Sequence, residues 1–312
     1  MEQRQLGDSG LLVSSIGLGC NNFGGRLDLE GTRKVIHAAF DHGITLFDTA
    51  DVYGNQGGSE DLMGQVLGAR RKDIVLASKF GLPMDGGSGR LRGGSRRYIM
   101  SAVEASLRRL RTDWLDLYQY HRPDGITPTE ETLRALDDLV RQGKVRYLGC
   151  SNMPAWQVVE AQWTSKHEGL NRFISCQDEY SLLVRGIEQE LTPVAARYGM
   201  GLLPYFPLAS GMLTGKYKRG APPPEGTRMA GTDRYARYQT EARFDVVEKL
   251  EAFAKARGHS LVELAFSWLL AKTPVSSVIA GATKPEQIAE NVKAGDWKLT
   301  PAELAEIEAL SG

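Results

Sequence analysis

The chain is poor in cysteine, with Cys20, Cys150 and Cys176 its three thiols in 312 residues. Three scattered cysteines cannot build a disulfide framework, and no CxxC or HExxH spacing occurs, so reduced thiols and no bound metal are expected. Neither sign of charge is in excess, since 38 Lys+Arg against 38 Asp+Glu gives 38 − 38 = 0. That balance argues against holding nucleic acid by bulk electrostatics, and 42% apolar with 24% charged residues excludes a disordered or collagen-like chain. No run of 18 apolar residues exists, and the N-terminus MEQRQLGDSG lacks the basic stretch and apolar core of a secretory signal. A cytoplasmic protein with no membrane and no nucleic-acid partner is expected.

Glycine is abundant: 35 of 312 residues, about 11% against a usual share of about 7%. Such a surplus asks for tight strand-to-helix turns or close approach of backbone to a ligand. The dominant pattern is an alternation of short β-branched or aromatic runs with stretches of helical period. Strands are expected at Ile16–Gly19, Ile44–Phe47, Ile74–Ser78, Leu115–Tyr120, Val145–Gly149, Phe173–Cys176, Gly201–Pro204 and Ser277–Ala280. Helices are expected between them at about 29–42, 58–69, 97–110, 129–142, 154–167, 187–198, 242–257 and 260–271, with a final one from Pro301 to Leu310. Eight sequential strand–helix units with right-handed crossovers, and no GxGxxG turn, predict a closed (β/α)8 TIM barrel rather than an open doubly wound sheet. Arg4–Gly7 and Leu11–Val13, around Asp8-Ser-Gly10, read as a β-hairpin capping the barrel's N-terminal mouth. Residues 1–312 thus read as a single barrel domain with two long loops, about 80–96 and 210–240, both following strands on the side where barrel enzymes keep their sites. The loops carry arginines, among them Arg219, Arg228, Arg234 and Arg237, which suit either an anionic ligand or a solvated surface.

Polar residues at strand C-termini face that mouth. Asp48 ends the second strand with Tyr53 five residues on, Lys79 ends the third and His121 the fourth. Singly, each has an ordinary structural role, as turn-former, core-edge aromatic, surface cation or hydrogen-bonded histidine. Gathered on one rim they form a proton-delivery device: Lys79 stabilises the Tyr53 phenolate, Asp48 orients Lys79, and His121 positions a carbonyl oxygen beside the Tyr53 hydroxyl. The three cysteines, near strand ends, are expected to serve as small apolar packing. A barrel glycosidase would need two facing carboxylates, whereas the fourth and seventh strands end in His121 and Pro204.

The segments FDTADVYG, a lysine closing the third strand, YQYHRPD, GCSN at 149–152, CQDEYSLL at 176–183, YFPLASGMLTGKY at 205–217 and GATKPEQIAEN at 281–291 resemble, in order and over essentially the whole chain, those of the aldo-keto reductase family. The resemblance implies reversible NADPH-dependent reduction of aldehydes or ketones, with a catalytic set on Asp48, Tyr53, Lys79 and His121 and Tyr53 as the acid. It implies cofactor contacts from Gly19, Cys20, Asn21 and Asp48, and from Ser151, Asn152 and Gln177 for the carboxamide. Tyr205 would stack on the nicotinamide, with Phe206, Pro207, Leu208, Ser210, Gly211 and Lys216 along the pyrophosphate loop. Gly281, Thr283, Lys284, Gln287, Glu290 and Asn291 would lie at the adenine end. Small side chains, backbone donors and the N-terminus of the helix after Thr283 suit an anion there. Many NADP-preferring relatives carry a basic pair at the last strand's exit, whereas only Lys284 supplies charge in this chain, so NADPH is the expected cofactor with NADH also accepted. Phe23, Tyr53, Phe80, His121 and Phe206 are expected to line an apolar substrate mouth, left open because the chain ends soon after its last helix. A different class of function implied by the same fold is an NADPH-binding regulatory subunit resembling the potassium-channel β subunits.

Overall fold

The computed structural model describes residues 1–84, 89, 91–230 and 232–311, with Asp233 and Arg234 described in backbone only. Part of the first long loop and the side chain of Arg234 therefore lie outside the described residues. The chain opens with the expected hairpin, β1 (Gln3–Gln5) antiparallel to β2 (Leu12–Ser14), Gln3 opposite Ser14. Gly7 turns it at φ +60°, and a Cβ there would lie 2.4 Å from the Gly199 carbonyl oxygen, so only glycine lets the hairpin sit this close against the barrel floor.

Eight parallel strands follow in one sheet: β3 (Ile16–Gly19), β4 (Leu46–Asp48), β5 (Val75–Phe80), β6 (Leu115–Tyr120), β7 (Val145–Ser151), β8 (Phe173–Gln177), β9 (Gly201–Leu202) and β10 (Val278–Gly281). Neighbours follow chain order, and β10 returns to pair with β3, Val278 opposite Ile16. The remaining seam closes where Leu202 bridges Val275 and the Ile279 N–H donates to the Pro204 carbonyl at 2.9 Å. The result is the (β/α)8 barrel.

Between the strands run α1 (Leu29–Asp41), α2 (Tyr53–Leu67), α3 (Arg96–Leu110), α4 (Thr129–Arg141), α5 (Ala155–Glu168), α6 (Leu191–Arg197), α7 (Glu241–Ala256), α8 (Leu261–Ala271), α9 (Pro285–Lys293) and the C-terminal α10 (Pro301–Ser311). Local sequence sets their ends. Asp28 and Ser95 cap α1 and α3 by accepting from the Gly31 and Tyr98 N–H groups, and Ser260 with Glu263 forms a capping box on α8.

Side chains alternate along each strand, and this parity decides everything that follows. Leu46, Val75, Ala77, Leu117, Leu203 and Ile279 point inward and, with Leu6 and Val13 of the hairpin, fill the barrel. Leu76, Phe80, Tyr118, Cys150 and Cys176 point outward into the layer between sheet and helices.

Three elements differ from expectation. β4 starts at Leu46 rather than Ile44, because Thr45 is tied to the hairpin by reciprocal hydrogen bonds with Ser14 (2.8 and 2.9 Å). β9 is two residues long, since Pro204 has no N–H to prolong it. The helix expected over 187–198 is a short 3-10 turn at Gly186–Glu188 followed by α6, whose Pro193 is tolerated only in a first turn.

Candidate active site

The inward parity of β5 carries Lys79 up behind Val75 and Ala77 to the mouth, opposite Gln119 of β6. Lys79 is fully buried. Its Nζ donates to Asp48 Oδ2 at 2.6 Å and to the Thr49 carbonyl at 2.9 Å, and lies 3.5 Å from the Tyr53 hydroxyl. Tyr53 starts α2, but Gly54, Asn55 and Gln56 have left-handed dihedrals, so the regular helix begins only at about residue 58 as expected. This detour aims Tyr53 inward, where its ring meets His121 edge-on with centroids 5.7 Å apart. The structure thus brings Asp48, Tyr53, Lys79 and His121 together at one point of the rim.

Electrostatics sharpen the group. Burial opposes charge on Lys79, but Asp48 and then Tyr53 outweigh it, so its pKa stands above the ordinary value and the ammonium is retained. Burial, helped by the nearby positive charges of Lys79 and Arg122, pushes His121 well below its ordinary value, so the imidazole is neutral at neutral pH. Burial likewise raises Tyr53, against the pull of Lys79. The expected stabilisation of the phenolate by Lys79 is that opposing pull, and desolvation outweighs it. Such a phenol still protonates an alkoxide, which is a far stronger base.

Gln119 is a site residue that sequence reading missed. Its amide donates to Asp48 Oδ1 at 3.0 Å and Gln177 donates to the same oxygen at 2.9 Å, so both carboxylate oxygens are satisfied. The available signal was parity: Gln119 shares the inward phase of Leu117. Asp178, nine-tenths buried with Oδ2 unpartnered, was missed as well.

The other expected residues fall into three groups. Ser151 and Gln177 are buried at the ends of β7 and β8, and Asn152, at φ 51°, donates to the His121 carbonyl (3.1 Å) and accepts from the Tyr205 hydroxyl (2.8 Å). Phe206, Ala209, Ser210 and Gly211 all have positive φ, a run that turns successive N–H groups into a concavity suited to an anion. Buried within it, Ser210 Oγ has no partner, and the exposed Lys216 flanks it. Leu208 and the buried Pro207 belong to the same turn, where the Leu208 carbonyl accepts from Gly211 at 2.8 Å.

At the far seam a Cβ on Gly281 would meet Asn22 Nδ2 at 3.3 Å and Asn21 Oδ1 at 3.4 Å, and Gly19 lies beside it, so the missing side chains leave a cradle. Thr283 donates through its N–H to Gln287 Oε1 at 2.7 Å, Lys284 precedes α9, Glu290 is exposed and Asn291 is buried. An orphaned hydroxyl, a left-handed run and a glycine cradle along one edge of the mouth fit an extended dinucleotide.

Two expected pocket residues are corrected. Phe80 follows the inward Lys79 and so points outward, stacked on Tyr120 with centroids 5.1 Å apart. Phe23 is fully buried in the same outer layer. Neither lines the mouth. Cys20 is also sealed, its thiol near the Leu18 carbonyl, its N–H donating to the Asp48 carbonyl at 2.9 Å and its own carbonyl accepting from the Ser59 hydroxyl at 2.8 Å. Among the described residues no group of three or more His, Cys, Asp or Glu is placed to hold a metal, and no helix is long and apolar enough to cross a membrane.

At the mouth of a closed barrel, a buried Lys–Asp pair thus lies under a rim tyrosine. Residues 15–311 match the model of the Aldo/keto reductase family, and the chain belongs to that family, whose members generally use NAD(P)H. It is 39% identical over 99% of its length, and 96% of the relative's, to a probable voltage-gated potassium channel subunit beta of Arabidopsis thaliana. It is 35% identical to an L-glyceraldehyde 3-phosphate reductase of Escherichia coli O157:H7 (99% and 92% covered) and 34% identical to a versiconal hemiacetal acetate reductase of Aspergillus parasiticus (99% and 96%).

Proposed function

We propose that the whole chain, 1–312, acts as one barrel that reduces aldehydes or ketones to alcohols, reversibly, with NADPH and with Tyr53 as the proton donor. The observation that carries this reading is the single buried ammonium of Lys79 held between Asp48 and the Tyr53 hydroxyl. NADPH supplies the hydride when bound. Ser151, Asn152 and Gln177 would hold its carboxamide and Tyr205 its ring, with the Phe206–Gly211 turn, Lys216, the Gly19–Gly281 cradle and Lys284 along the remainder. Lys284 is the one positively charged residue of 281–291, so NADH is included as a second donor.

Neutral His121 offers one N–H to the carbonyl oxygen and fixes it beside Tyr53. As negative charge develops on that oxygen, the Tyr53 O–H proton moves to it and Lys79 stabilises the phenolate left behind. Asp48, with Gln119 and Gln177 on its other oxygen, keeps the ammonium aimed.

Tyr53→Phe tests this. Loss of NADPH absorbance against a panel of aldehydes should slow by about 10²–10⁴-fold, while NADPH binding, followed by nucleotide fluorescence, persists. An unchanged rate would remove Tyr53 from the mechanism. The likeness to potassium channel β subunits favours one other reading, an NADPH-binding regulatory subunit. Tight NADPH binding with no turnover of any panel aldehyde would select it.

A further inference from the structure

Between the loops that follow β6, β7, β8 and β9, beside the catalytic residues, lies a cavity of about 590 Å³ lined in part by Arg122, Asn152, Asp178, Glu179, Tyr205 and Arg237. Arg122 directly follows His121 in the chain, and its positive charge is felt at both His121 and Tyr205. The neighbouring guanidinium is occupied: Arg237 donates to Glu179 at 2.7 Å and also to the Tyr238 hydroxyl. Arg122 has no carboxylate partner among the described residues. Asp178 lines the same space, nine-tenths buried, with Oδ2 lacking any hydrogen bond. A buried oxygen without a partner is costly, and a donor and acceptor supplied by a ligand would relieve it.

We propose that Arg122 and Asp178 form an anion subsite that selects carbonyl substrates carrying a carboxylate or phosphate close to the reacting carbon. This rests on the reductase reading above and adds to it the substrate class. Glu179 and Arg237 cancel each other, so the net charge of the cavity is decided by Arg122 and Asp178. Burial pushes the Asp178 carboxyl up to about 8, so at neutral pH it is protonated and can donate its O–H to an anion. A charge-assisted bond from Arg122 supplies the attraction, and the guanidinium, whose charge is felt at His121, draws the anion to the His121 side of the mouth. Tyr205 and Tyr235 also face the cavity, and Tyr205 is held by burial far above physiological pH. His121 is already neutral. Asp178 is therefore the group whose titration changes the cavity's charge between pH 7 and 9, from net positive towards zero, weakening anion selection as pH rises.

The test compares charged and neutral substrates of one shape: glyceraldehyde 3-phosphate against glyceraldehyde, and 4-carboxybenzaldehyde against 4-nitrobenzaldehyde. In Arg122→Gln the ratio of kcat/KM for charged over neutral partners should fall at least tenfold, with Arg122→Lys restoring part of it. In Asp178→Asn the decline of that ratio above about pH 8 should vanish. The two pairs separate phosphate from carboxylate selection. A variant that changes charged and neutral substrates equally overturns the subsite. Calorimetry of inorganic phosphate and of benzoate on protein saturated with NADPH, so that the Phe206–Gly211 turn is filled, gives a readout free of turnover: binding in wild type that is lost in Arg122→Gln supports the subsite even if no aldehyde reacts, an outcome that would sink only the reductase reading. Binding that is absent, or identical in both proteins, overturns the subsite whatever the rates.

Discussion

Asp48 and Asp51 stand three residues apart and are equally deep, yet they live in different chemistry. Asp48, inside the barrel, receives Lys79 on one oxygen and the amides of Gln119 and Gln177 on the other. Asp51, between the barrel wall and the helices, receives one hydrogen bond at 3.0 Å from Tyr98 of α3, and its Oδ1 has none. Burial, and next the neighbouring Glu60, raise Asp51 to about 7. Glu60 itself is supported by Arg109 at 2.6 Å and by the Ser78 hydroxyl. Depth alone does not decide whether a buried carboxyl carries charge. The number and sign of its donors does, and the interior cluster is the one built to keep every charge compensated.

The most severe way to break this comparison is Lys79→Met. It strands Asp48 as a buried carboxylate with two neutral donors, and unfolding in denaturant should show a loss of about 3–5 kcal/mol together with loss of turnover. Stability equal to wild type would mean that the pair is not what compensates Asp48. Arg109→Met makes the matching cut in the outer cluster. Arg109 is partly exposed, so the expected loss is smaller, roughly 1–3 kcal/mol, and kcat should change far less than in Lys79→Met, since Arg109 meets the detour after Tyr53 only by packing on Gly57. A fall in kcat per folded molecule would show that the two clusters communicate.

The gentlest probe is Asp51→Asn. With a folded pKa of about 7 against an ordinary 3.8, the folded protein holds a proton that the unfolded chain releases between those values. That contribution to stability is complete below pH 4 and is lost as pH rises through about 7. Removing the titration should therefore raise Tm by several °C at pH 8 and leave it unchanged near pH 4. A shift of the same size at both pH values would contradict a neutral Asp51.

The barrel was legible because its signals are local and repeated: eight short apolar runs alternating with stretches of helical period. The gathering of Asp48, Lys79 and His121 on one rim was legible because each lies at or just beyond the C-terminal end of a strand, where a one-dimensional reading already fixes position along the barrel axis. What failed was direction around the wall. Phe80 looked like a mouth residue until the phase set by Lys79 turned it outward, and Gln119 was overlooked for the same lack of phase. The elevated pKa values of Asp51 and Asp178 depend on what covers them, and those covering groups come from distant segments such as Tyr98. No pattern along the chain encodes that.

The hairpin has a consequence for traffic. With Leu6 and Val13 wedged among Leu46, Val75, Leu117 and Ile279, the floor of the barrel is a stopper, and the vessel has one doorway. Whatever is to meet Lys79 has to enter by that doorway, and a ligand seated deep in it could leave only after one bound above had gone.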